Sequence, residues 1–110
     1  MLTESALSQF IGTEKWYRHW LGKLYTDGVK FMAEEGKAFW LIDAIFSYRR
    51  TEPFQIWELK KTGERSAVLT MKEDSDQPAL VTQKIPYTDF PLDSIKLYYE
   101  NDVLYLPSER

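Results

Sequence analysis

Apolar residues recur at helical spacing through the first half of the chain and at every second position through the second. Thr3 stands where an N-cap would, with Leu2 and Leu7 at the N′ and N4 positions of a hydrophobic staple. Ala6, Leu7, Phe10 and Ile11 extend that stripe, and Gly12 is placed to stop it. Residues 16–25 are ambiguous. Trp16, Trp20 and Leu24 fit a helix, whereas Gly22 and the aromatic density favour a strand, the reading adopted here. Thr26-Asp27-Gly28 is a cap-and-turn cluster opening a helix with Val29, Met32 and Ala33 on one face, ended by Gly36. Ala38 to Arg50 predicts a further helix, apolar nearly all round over its first two turns and therefore buried on most sides. Arg49 and Arg50 at its end suit the helix dipole.

From Phe54 the period changes to two. Phe54–Lys60 and Ser66–Lys72 read as strands around a hairpin loop containing Gly63, and Ala79–Ile85 as a third strand stopped by Pro86. Ile95–Glu100 and Val103–Leu106 form a last hairpin around Asn101-Asp102, residues that tolerate left-handed backbone. The expected fold is a single α+β domain over residues 1–110. Its N-terminal helices pack on one face of a four- to five-stranded, mainly antiparallel sheet.

Composition narrows the function classes. The 44% apolar and 15% aromatic content is enough for a core in 110 residues. There are no cysteines, so disulfides and thiolate metal sites are excluded. No apolar run approaches the roughly 20 residues of a bilayer span. Met1 to Phe10 carries no basic residue and leads into no signal-type apolar run, so a cytoplasmic location is expected. The net charge is −3, and the acidic excess lies wholly in residues 56–110. The basic doublets Arg49-Arg50 and Lys60-Lys61 are each followed closely by acids, so a nucleic-acid stripe is not expected. Phosphate loops, complete calcium loops and nucleophile elbows are absent, and no metal or cofactor is expected.

The candidate catalytic residues are His19, Asp27 and Asp43. Asp43 lies among Phe39, Trp40, Leu41, Ile42, Ala44, Ile45 and Phe46, where a buried carboxylate needs a partner, a raised pKa or an exposed position. It is either a perturbed acid in a cleft or one end of a structural hydrogen bond, with Arg18, His19 or a backbone amide as partner. His19 is the only histidine, too few for an ordinary zinc site. Oriented by Asp43 or Asp27 it could act as a base; otherwise it is an ordinary half-buried side chain. Asp27 is explained by helix capping. The candidate binding residues are Trp16, Trp20, Trp40 and Tyr99, since Trp and Tyr concentrate at contact hot spots. The competing explanation is that such aromatics fill the helix–sheet core. If the last hairpin is a sheet edge, it offers a strand-addition surface.

Several segments together resemble an uncharacterised bacterial domain family of unknown function, seen in cyanobacteria and on phage- and plasmid-like elements. They are Leu7-Ser8-Gln9-Phe10, Gly12-Thr13-Glu14, Tyr17-Arg18-His19, Tyr25-Thr26-Asp27-Gly28-Val29-Lys30, Ala38 to Ile45, Tyr87 to Leu92 and Leu106-Pro107-Ser108-Glu109. The resemblance implies a stand-alone prokaryotic domain and brings no catalytic residue with it. Three functions remain in view. The first is a non-enzymatic protein-binding module, in one version a mobile-element-encoded modulator of a host protein. The others are a small enzyme with a His/Asp acid–base pair and a homo-oligomer pairing through Val103–Leu106.

Overall fold

The computed structural model describes residues 2–110. Its elements run α1 (Glu4–Ser8), β1 (Trp16–Arg18), β2 (Leu24–Thr26), α2 (Asp27–Glu35), α3 (Phe39–Ser47), β3 (Phe54–Lys61), β4 (Ala67–Lys72), β5 (Val81–Ile85), β6 (Ser94–Glu100) and β7 (Val103–Tyr105), closed by a 3₁₀ turn at Pro107–Glu109. The strands form one sheet in the order β1-β2-β7-β6-β3-β4-β5. The architecture is α+β, but the expected four- to five-stranded, mainly antiparallel sheet beneath N-terminal helices is wrong. Seven strands make a mixed sheet, and the three helices are short.

The error began at residues 16–25, read as one strand. They form two, β1 and β2, joined by a tight loop in which Gly22 takes φ +96°. β2 then pairs in parallel with β7, Tyr25 opposite Leu104. Two consequences follow. The N-terminal region contributes strands as well as helices, and β7 lies between β2 and β6, so the last hairpin is no sheet edge. Pairing of copies through Val103–Leu106 has no free edge to use; the edges are β1 and β5.

Elsewhere local chemistry sets the elements. Thr3 Oγ1 accepts from the Ala6 N–H, and Leu2 and Leu7 are buried. The helix nevertheless stops at Ser8, before Gly12, and Ile11 is 83% exposed. Thr26, not Asp27, caps α2: its Oγ1 accepts from the Val29 N–H. α3 runs only from Phe39 to Ser47, leaving both arginines beyond its end. Asn101 and Asp102 take φ +53° and +63°, the left-handed pair of a two-residue hairpin.

Register places Gln55, Trp57 and Leu59 of β3 beside Tyr99, Leu97 and Ile95 of β6, and Trp57 and Leu59 beside Met71 and Leu69 of β4. All of these except Gln55 share one buried cluster with Val29, Met32, Leu41, Ile42 and Ile45 of the helices. Gln55 is polar and equally buried. Its Oε1 accepts from the Trp57 indole N–H at 2.8 Å, which satisfies both groups.

Candidate functional site

The β1–β2 loop is built around His19. Its backbone N–H donates to Lys23 O at 2.7 Å, and the Gly22 N–H returns to His19 O at 2.8 Å. The Leu21 N–H donates to Nδ1 of the imidazole at 3.1 Å. Nδ1 is therefore the acceptor, and Nε2–H donates to Asp43 Oδ1 at 2.6 Å. The ring is only 7% exposed and meets Phe46 edge-on at 4.9 Å. Asp43 is not buried: its side chain is 53% exposed. Its position in α3 gives it a partner and water together, which removes the cost of an unpaired carboxylate in an apolar run.

Chemically the pair is a latch. A general base needs a ring nitrogen whose lone pair faces a substrate. Here one nitrogen accepts from the backbone and the other donates to Asp43, so neither is left over. What the latch presents is Trp20. The indole lies 5.4 Å from the imidazole, centroid to centroid, and is 78% exposed. Phe39, one helical turn before Asp43, is 44% exposed on the same side of α3.

The remaining candidates lie apart or beneath. Trp16 is exposed on edge strand β1, and Trp40 is partly buried against the core. Tyr99 is buried, its ring 6.0 Å from that of Phe46, and its hydroxyl donates to Asp102. Asp27 sits at the start of α2, accepting from the Gly28 N–H, and does not join the His19–Asp43 pair. No group of carboxylates and histidine among the described residues could hold a metal.

A family model described as "Family of unknown function (DUF6876)" matches residues 1–110. The chain belongs to that family. An uncharacterised domain family is what the sequence motifs pointed to, and membership brings no activity. No curated protein and no solved structure matches the chain. No described helix is long and apolar enough to cross a membrane.

Two clusters escaped the sequence reading. The first centres on Glu109, whose carboxylate is buried at the start of α2. It accepts from Thr26 Oγ1 at 2.6 Å, the Leu106 N–H at 2.8 Å, Thr13 Oγ1 at 3.1 Å and the Gly28 N–H at 3.3 Å. Burial pushes its pKa up, against the pull of the Thr26, Leu106 and Thr13 donors, and Asp27 adds to the rise. Gly28 makes the approach possible, since a Cβ there would stand 2.7 Å from the Glu109 carboxyl carbon. The tetrapeptide containing Glu109 carried the family resemblance, but nothing local marks its partner 83 residues away. The second cluster gathers Lys23, Arg49 and Arg50 around Tyr99 and Gln55. Tyr99 and the Arg49-Arg50 doublet were each marked in the sequence, but nothing local brings them together with Lys23 and Gln55.

Proposed function

We propose that this domain is a non-enzymatic protein-binding module whose contact face centres on Trp20. The observation that carries the reading is a tryptophan exposed over three-quarters of its surface on a loop that is braced rather than loose. Exposing an indole forgoes about 25 cal/mol for each Å² of apolar surface left in water. Fixing its loop in advance lowers the ordering cost of association, the arrangement found at binding hot spots. Phe39 widens the apolar face, and Asp43 gives it a polar rim. The engaged imidazole nitrogens favour this reading over acid–base catalysis. The motif resemblance to a family seen on phage- and plasmid-like elements extends the reading to a modulator of a host protein. The lack of cysteines fits action in the cytoplasm.

The test replaces Trp20 with a benzophenone amino acid and, in a second protein, Thr62 on the distant β3–β4 loop. Both are irradiated in bacterial lysate. The reading expects a discrete protein adduct from position 20 and none from position 62. Identical adduct patterns, or none at position 20, overturn it.

A further inference from the structure

The pocket between the end of α3 and the β6–β7 hairpin has a charge and shape that the Trp20 face alone does not use. After Ser47 the chain turns through Tyr48 and then Arg49, which takes φ +52°. This is the position after a helix where glycine is cheapest and a β-carbon is strained. An exposed arginine stands there instead, its guanidinium without an ion-pair or hydrogen-bond partner among the described residues. Its neighbour Arg50 is held in a two-pronged bond to Glu52 at 3.1 and 2.7 Å, and Lys23 pairs with Asp102 at 2.9 Å. Arg50 keeps the Glu52 carboxyl below the ordinary carboxylate range, and Lys23 does the same for Asp102, so both internal pairs are ionised.

Lys23, Arg49, Arg50, Gln55, Phe46 and Tyr99 line a small cleft here, with room of about 20 Å³. Lys23, Arg50 and Tyr99 also line a wider trough of about 320 Å³ bounded by Glu52 and Asp102. Glu73 also acts on Arg50 from beyond the lining, so cations and carboxylates balance overall, and what stands out is that the Arg49 guanidinium alone has no partner among the described residues. The planar fork of a guanidinium matches a carboxylate with two parallel hydrogen bonds. A dianionic phosphate would bring two charges to a single free guanidinium at the carbonyl end of α3, where repulsion from the helix dipole is greater for a dianion than for a monoanionic carboxylate. The floor is aromatic: Tyr99 contacts Phe46, Phe46 contacts His19, and His19 lies beside Trp20.

We infer that this pocket binds a carboxylate through Arg49, so that the partner of the Trp20 face carries an acidic side chain or terminus beside an apolar residue. This rests on the protein-binding reading above and names the partner's chemistry. The test is an NMR titration of the full chain with N-acetylglycinate, its neutral amide and inorganic phosphate. N-acetylglycinate should give saturable shifts at the Arg49 Nε–H, the Gln55 side-chain amide and the Tyr99 backbone, and the amide none. Arg49→Gly, which suits the local φ and so keeps the fold, should weaken the response about tenfold or more. No saturable shift, equal shifts with the amide, or unchanged affinity in Arg49→Gly overturns the inference. Tighter binding of phosphate than of N-acetylglycinate overturns the carboxylate assignment. Trp20→Ala should leave these shifts intact, so failure of the pocket appears here and failure of the protein-binding reading appears in the cross-linking.

Discussion

Removing the Glu109 side chain should destabilise the domain far more than an ordinary surface substitution does. In Glu109→Ala the Thr26 hydroxyl and the Leu106 N–H, both buried, lose their acceptor. Thr13 is only partly buried and can turn to water, and the Gly28 N–H keeps a bond to Asp27. Two buried donors left unpaired cost about 1–3 kcal/mol each, part of which is returned because a carboxyl no longer has to be desolvated. The net loss is about 2–4 kcal/mol, a large share of the roughly 5–15 kcal/mol that holds a domain of this size. Urea unfolding at neutral pH, followed by tryptophan fluorescence and circular dichroism, measures it.

A pH series separates the charge from the packing. Burial holds the native pKa of Glu109 above its unfolded value, so the native state keeps a proton that the unfolded chain gives up. The stability this contributes is fully present below the unfolded carboxyl pKa and is lost as pH rises through the native one. Glu109→Gln has no proton to lose, and its stability should fall less steeply over that interval. A loss under about 0.5 kcal/mol in Glu109→Ala, the size of an ordinary surface substitution, would refute the reasoning. So would equal pH slopes for wild type and Glu109→Gln.

Three further outcomes follow from the same geometry. Gly28→Ala should cost about 1–3 kcal/mol, because the new methyl meets the Glu109 carboxyl carbon at 2.7 Å and Leu106 Cδ1 at 2.8 Å; thermal unfolding reads this directly. Asp43→Asn should cost less than about 1 kcal/mol, its partner being an exposed carboxylate, whereas His19→Ala removes a buried ring against Phe46 and should cost about 2 kcal/mol or more. Near-equal values in urea unfolding would contradict the latch. Asn101→Gly, at φ +53°, should hold or raise the melting temperature, by up to about 1 kcal/mol of stability; a fall would mean that the Asn101 side chain does unseen work.

Much of the secondary structure was legible because it rests on neighbours in the chain. Thr3 caps within three residues, Thr26-Asp27-Gly28 marks a helix start even though the cap is Thr26 and not Asp27, Asn101-Asp102 closes a two-residue turn, and the alternation in β3, β4 and β6 is local. The His19–Asp43 contact was legible in kind, since a carboxylate in an apolar run demands a partner or water. Its exposure was not, because that depends on which side of α3 the β1–β2 loop covers. Other features were hidden for a common reason. The parallel pairing of β2 with β7 joins residues about eighty positions apart, and Gly22 alone hinted at the turn that splits residues 16–25.

The sequence by itself determined the mix of helices and strands, the domain family, the positions of most of the later strands, and the absence of thiol chemistry, all set by composition or by contacts a few residues long, but not the sheet's architecture. Tertiary structure alone decided that seven strands share one mixed sheet and that β7 is interior. It alone seats Glu109 at the start of α2 and leaves Trp20 and Arg49 facing outward. Those outcomes depend on which distant surfaces meet. Periodicity tells a segment which side to bury and says nothing of what will cover it.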